Sequence, residues 1–422
     1  MIYNKKVLPN GLRIITVPMK DSPTVTALVL VEAGSKYETK KNNGISHFLE
    51  HMCFKGTEKR PQSILISREL DSIGSQYNAF TGQEYTGYYA KSDFRHFDKI
   101  FDVVSDIYLN STFPEKEMEK EKGVIIEEIN MYQDLPQRHV QDLFMELLYG
   151  DQPAGWNIAG PRENIKKMAR KNFTDYRREH YLAPKTLVVV AGNIDEEKVL
   201  KAVEEKFAGI PKGEGKPKKK VSEKQKKPEI KIEYKKTDQT HLVLGVRSFN
   251  AYDKKDPAMT VLAGVLSGGM SSRLFQKIRE EMGVAYYIRA ESDEFTDHGF
   301  LQVSAGVDNK RLGEVISAIL GELKSLKENL VDGEELKKVK DYLIGGMYLG
   351  LESSDSLAEF YGGQEVLRKN LKTPGDIAEE IKKVTAEDIK KVAGEIFTDE
   401  KLNLALIGPV KTASGLTNIL HF

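Results

Sequence analysis

Two histidines and a glutamate stand inside one helical turn near the start of the chain. The stretch NNGISHFLEHMCFKGT, residues 42–57, places His47, Glu50 and His51 within five positions. In a helix, side chains four apart leave from one face, so His47 and His51 send two imidazoles in the same direction. Two nitrogen ligands of a single ion need that arrangement. Glu50, three after His47 and one before His51, sets a carboxylate beside the pair. A hydrolytic zinc keeps three protein ligands and one open position for water, and a nearby base takes the proton that the ion has made acidic. His47 and His51 suit the ligand role and Glu50 that of the base. The order is HExxH read backwards. The same five letters also fit a packed helix with no metal, and alone they leave both readings open.

A third ligand is offered by EKEMEKEKGVIIEEINMYQ, residues 115–133. This stretch predicts a long helix with an apolar stripe of Val124, Ile125, Ile126 and Ile129. Glu121 and Glu128 lie two turns apart on one face, beside that stripe. A carboxylate carried into an apolar core is costly unless it meets a cation. Glu128 as third ligand removes that cost, and Glu121 would support the site by hydrogen bonding to a ligand or to water. Glu127 points elsewhere, toward solvent. Without the histidines, all three glutamates read as surface residues of a charged helix.

The elements that must position these groups belong to a large, mixed chain. A length of 422 residues exceeds one ordinary core. With 40% apolar and 30% charged residues the composition is that of a globular protein. Basic and acidic residues balance at 63 each, so no global field draws the chain to nucleic acid or to an anionic membrane. The longest apolar runs, such as TALVLVEAG and TLVVVAG, have strand length and are too short to cross a bilayer. The opening MIYNKKVLPNGLRIITV lacks the order of a secretion signal. A lone cysteine, Cys53, leaves no internal disulfide framework, and its thiol reads as a core group. The expected location is the cytoplasm.

Residues 212–228, opening KGEGKPKKKVSEKQKK, are lysine-rich and nearly devoid of apolar side chains, which predicts an exposed linker. No aromatic residue interrupts the run to stack on bases. The flanking halves echo each other. SRELDSIGSQYNAFTGQEYTGYYAKS followed by FDKIFDVVSDIYL is matched by FQKIREEMGVAYYIRAESDEFTDHGFLQVSAG followed by LGEVISAILGELKSL. Gly74 pairs with Gly283 and Gly192 with Gly408, at separations of 209 and 216 residues. The expectation is an α+β chain of two homologous domains, 1–211 and 229–422, each a mainly antiparallel sheet with helices on one face.

HFLEHMCFKGT, followed by EKGVIIEEINMYQD with Glu128 77 residues past His51, resembles the M16 (pitrilysin/insulinase) family. The likeness is to its half-length members, the bacterial processing-type proteases and the mitochondrial processing peptidase subunits, and it covers nearly the whole chain. It implies a LuxS/MPP-like metallohydrolase fold and one zinc per chain, held by His47, His51 and Glu128. It makes Glu50 the base that activates water and Glu121 the supporting carboxylate. In QYNAFTGQEYT, Asn78, Ala79 and Phe80 match the edge strand along which a substrate peptide lies, a case of strand addition.

In the second half, SSRLFQKIREEMGVAYYI carries Arg279 and Tyr286 at the position of a family pair that faces the substrate from the opposing side of a clamshell. A guanidinium and a phenol are suitable donors to a developing oxyanion. For a half-length chain the resemblance implies a homodimer in which the partner completes each site. TVLAGVLSGG stands where the first half has HFLEH, so the second half carries no metal residues. The expected activity is zinc-dependent endopeptidase cleavage of peptides or unfolded segments. Two other readings remain: a scaffold of the same fold without catalysis, and the catalytic subunit of a heterodimer. GDQPAGWNIAG, before Pro161, departs from the family's wording, which leaves that loop's role open.

Overall fold

A computed structural model describes residues 3–422. Eleven strands form two sheets. The first contains β1 (Asn4–Val7), β2 (Arg13–Pro18), β3 (Thr24–Val31), β4 (Gln76–Thr81), β5 (Thr86–Asp93) and β6 (Thr186–Gly192), in the order β1-β2-β6-β3-β5-β4. The second contains β7 (Glu229–Tyr234), β8 (Gln239–Ser248), β9 (Ala285–Glu294), β10 (Gly299–Asp308) and β11 (Leu402–Gly408), in the order β7-β11-β8-β10-β9. Each sheet has one parallel pair, β2–β6 or β7–β11, and is otherwise antiparallel. Gly74 and Gly283 both end a helical segment with left-handed backbone, at φ 63° and 64°. That conformation carries little penalty for glycine alone. Among the described residues no helix is long and apolar enough to cross a membrane.

The sheets are covered on both faces, not on one. β3 reads TVTALVLV, and all but its first residue are buried. A run that is apolar on both alternations is the signature of a strand sandwiched between layers. Val25, Ala27, Val29 and Val31 join the core under the helices Ile45–Cys53 and Phe97–Leu109. Leu28 and Leu30 face the helix Ser354–Leu367, which approaches so closely at Gly362 that an added Cβ would lie 2.7 Å from Leu30 Cδ1. A buried ion network anchors this helix, with Arg13 bonded to Glu32 at 2.6 Å and to Glu365 at 3.3 Å. The second sheet repeats the plan. Leu242, Leu244 and Val246 of β8 face one core, while Val243 meets Val140, Leu143 and Phe144 of the helix Pro136–Tyr149.

Two compact units result. One comprises the chain up to Ile129 with Trp156–Lys219 and Leu349–Thr373; the other comprises Asn130–Gly155, Lys220–Tyr348 and Pro374–Phe422. The chain halves set the order of elements, and each unit takes one helical segment from the other half. The lysine-rich segment has almost no regular structure and is largely exposed. It is nonetheless tied down at points, with Lys216 on Glu179 at 2.7 Å in the first unit and the Val221 amide on Asp297 at 3.0 Å in the second.

Candidate metal centre

The helix Ile45–Cys53 begins at Gly44, whose φ of 99° turns the chain into the first turn. An added Cβ there would lie 2.5 Å from the Ala159 carbonyl. Glu38 closes the helix start. Its carboxylate accepts from the Gly44 and Ser46 amides and from Asn43 Nδ2, each at 2.8 Å. These are amides that the helix itself cannot satisfy. Burial pushes the Glu38 carboxyl up to about 7, against the hydrogen bonds from Ser46, Asn43 and Gly44. The loop left open by the sequence packs here as well, since Asn43 Nδ2 donates to the Asn157 carbonyl at 3.1 Å. Ile45, Phe48, Leu49 and Met52 anchor the helix in the core, and Cys53 is buried with its thiol toward the Tyr88 hydroxyl at 3.6 Å.

His47 and His51 leave this helix side by side, with ring centroids 4.6 Å apart. Glu128 reaches them from the helix Glu115–Asp134. Its Oε2 lies 3.7 Å from His47 Nε2 and 3.6 Å from His51 Nε2. One ligand atom from each of the three falls within 4.8 Å of the others, the sole such group of three or more among the described residues. A tetrahedral zinc with ligand bonds of ~2.1 Å has edges of about 3.4 Å. The donor set therefore fits the ion with small side-chain adjustments. Burial, with the neighbouring His51, lowers His47 to about 3, which keeps it neutral as a ligand must be.

The buried stripe of the Glu128 helix differs from the expected one. It is Met118, Glu121, Ile125 and Ile129, at helical spacing, whereas Val124 is 52% exposed. Val124 sits a third of a turn off that line, so it meets solvent. Glu127 is exposed, as expected. Glu121 is buried, and its Oε1 lies 2.9 Å from His51 Nδ1. Its Oε2 meets Lys55 Nζ at 2.7 Å. His47 Nδ1, by contrast, is buried with no hydrogen-bond partner among the described residues.

Glu50 is buried beside the two imidazoles, and burial raises its carboxyl pKa against the Thr81 hydrogen bond and the His51 charge. Thr81 Oγ1 donates to Glu50 Oε2 at 2.5 Å. Thr81 ends β4, which has no strand on its outer side among the described residues. The Gly82 amide bonds to the Tyr85 carbonyl at 2.9 Å, so the bonded pairs of the hairpin fall on the even-numbered residues of β4. Tyr77, Ala79 and Thr81 then turn their amides and carbonyls outward. The expected trio thus divides: Ala79 presents its backbone to the open edge, while Asn78 and Phe80 pair with β5. Asn78 Oδ1 accepts from the Ala79 amide at 2.9 Å. The Phe80 ring covers Gly87 on the far face, with Leu30 alongside.

Arg279 and Tyr286 belong to the second unit. Arg279 lies on the π-helical turn Phe275–Glu281, its guanidinium 4.9 Å from the Phe275 ring centroid. Tyr286 is 76% exposed on β9, an edge strand of the second sheet. The sequence reading did not single out Glu38, Lys55 or Thr81. Lys55 lay inside the motif stretch, but its partner is 66 residues away in sequence.

Comparison with known proteins gives the family. The profile described as Insulinase (Peptidase family M16) matches residues 13–162, and that described as Peptidase M16 inactive domain matches residues 167–343. The chain is 36% identical to the "Uncharacterized zinc protease YmxG" of Bacillus subtilis over 95% of its length and 97% of the relative's. The chain belongs to peptidase family M16. An uncharacterized zinc protease of Streptomyces coelicolor is 32% identical over 96% of this chain and 90% of its own. A crystal structure described as a protease from Helicobacter pylori shares the fold with a TM-score of 0.89 at 22% identity, covering 97% of this chain and 100% of that one. A Pseudomonas fluorescens structure described as a peptidase M16 inactive domain also scores 0.89, at 16% identity, covering 98% and 99%. This M16 chain therefore has the family's fold of two sheet-and-helix units.

Proposed function

We propose that this chain is a zinc-dependent endopeptidase acting on extended peptides or unfolded segments. The observation that carries the reading is the convergence of His47, His51 and Glu128 beside the buried carboxylate of Glu50. The names of the relatives point the same way. Zinc held by those three side chains would polarise the scissile carbonyl and make water acidic. Glu50 takes the proton from water and hands it to the leaving amine. Thr81 holds one carboxylate oxygen of Glu50, which leaves the other to face the reacting groups. The outward carbonyl of Ala79 and the outward main-chain groups of Tyr77 and Thr81 hold the peptide by hydrogen bonds, with little demand on its sequence. Arg279 and Tyr286 of a second copy donate to the carbonyl oxygen as charge develops on it.

Metal analysis combined with a quenched fluorogenic peptide tests this. The purified chain should carry about one zinc and cleave the peptide, and chelation should abolish cleavage. Glu50→Gln should keep the zinc and lose roughly 100- to 10,000-fold in kcat. A folded chain that takes up no zinc and cleaves nothing would instead support the scaffold reading.

A further inference from the structure

The two imidazoles of the metal group are held differently. Behind His47 the Nδ1 atom is buried without a partner among the described residues. Behind His51 stands a two-step chain, Nδ1 to Glu121 Oε1 at 2.9 Å and Glu121 Oε2 to Lys55 Nζ at 2.7 Å. Both carboxylate oxygens of Glu121 are thus engaged, from opposite sides. A carboxylate held at one oxygen only is free to rotate, whereas one held at both has a fixed plane. A fixed plane sets the direction from which His51 Nδ1–H donates. That in turn aims Nε2, which carries the lone pair, toward Glu128 and His47.

Local backbone explains how Lys55 comes to be there. The last turn of the helix tightens, with the Phe54 amide on the His51 carbonyl at 3.2 Å and the Lys55 amide on the Met52 carbonyl at 3.1 Å. Residue 55 follows His51 by four, the spacing that sets two side chains on one helix face, and its ammonium reaches Glu121 from there. Glu121 comes from one turn of the same helix that supplies Glu128 two turns later, so the two helices are joined on both sides of His51.

Resting on the reading of this group as a metal site, we infer that Lys55 is a positioning residue for the metal: Lys55, Glu121 and His51 form a relay in which the ammonium locks the carboxylate and the carboxylate aims the imidazole. No other cation contacts Glu121 at ion-pair distance among the described residues. An ordinary salt bridge at the margin of the surface would contribute little and would not reach the ion.

The test is zinc affinity, measured on the chelated and refilled protein by competition with a chromophoric chelator, so no catalytic readout is needed. Lys55→Met should bind zinc about 10-fold or more weakly, the size seen when support behind a ligand is lost. Lys55→Arg, which keeps charge and donors, should stay within about threefold. Glu121→Gln should also weaken binding, and adding Lys55→Met to it should change nothing further, because members of one relay are not additive. Absorbance of the cobalt-loaded protein gives a second readout, expected to shift in Lys55→Met and not in Lys55→Arg. Should Lys55→Met fail to fold, as judged by circular dichroism, Lys55→Gln takes its place in the cycle. Wild-type affinity in the Lys55 variant, or an equal further loss in the Glu121→Gln background, overturns the relay while leaving the metal site intact. Failure of the wild-type chain to bind zinc overturns both.

Discussion

At the scale of single residues, the site is a set of side chains whose partners determine what each can do. Glu50 lies between an imidazole pair and a hydroxyl. Thr81 Oγ1 on its Oε2 leaves one oxygen free, and the hydroxyl sits at the end of β4, whose outer edge is open among the described residues. Thr81→Val preserves the β-branched shape and removes that hydrogen bond. It should lower kcat roughly 10-fold while zinc content stays at the wild-type level, and Thr81→Ser should recover most of the loss. A kcat unchanged in Thr81→Val would show that Glu50 is oriented without it. The pairing of His47 with His51 was legible in the sequence because four residues on a helix settle a shared direction, whereas Glu128 is assigned to them there only through the family resemblance. Lys55, Thr81 and Glu38 were not legible. Each acts through a partner from another element, and a lone lysine, threonine or glutamate carries no periodicity that would betray it.

At the scale of elements, the metal helix depends on what closes its start and on the helix Arg170–His180 packed beside it. Glu38 caps the start, and His180 is 3% exposed between the rings of Tyr37 and Tyr176. Burial lowers His180 to about 4, with Lys216 and Lys185 adding to it and Glu179 opposing. As pH falls from about 6.5, the unfolded chain takes a proton that the folded His180 refuses, so stability is lost toward about pH 4. Glu38, raised to about 7, behaves oppositely. Between about pH 7 and 4.5 the folded chain takes the proton first, and stability rises on acidification. Each contribution amounts to about 3 kcal/mol over its full range, and the two oppose each other. Urea unfolding at several pH values separates them. Relative to wild type, His180→Phe should gain stability as pH drops from about 7 to 5, and Glu38→Gln should lose it. Differences of the same sign would refute the assignment. The sheets themselves were readable from TALVLVEAG and TLVVVAG, but not what covers them. Periodicity names the buried face of a helix and not the sheet that buries it, and Ser354–Leu367 lies more than 300 residues after β3. The unbroken apolar run of β3 was the available sign of two covered faces. Strand alternation likewise separates Ala79 from Asn78 and Phe80, which the sequence match had treated as one block.

At the scale of the whole molecule, one chain carries the metal group in its first unit and Arg279 with Tyr286 in its second. The Arg279 turn is π-helical for seven residues, a geometry uncommon outside functional segments, and Tyr286 stands 76% exposed. An exposed phenol and a guanidinium lying over the Phe275 ring suit groups that meet their substrate only when another surface arrives. Sharing between two copies gives a quantitative expectation. Arg279→Ala and Glu50→Gln chains should each be nearly inactive alone. Mixed and allowed to exchange, half of the dimers become hybrids. In a hybrid, one site pairs an intact Glu50 with the partner's intact Arg279, while the other site carries both lesions. Activity should therefore return to about one quarter of the wild-type value. Sites completed within one chain would leave a lesion in every site of every hybrid, and mixing would restore nothing. Size measurement before and after exchange establishes that hybrids have formed, so a flat assay then counts against the shared site itself.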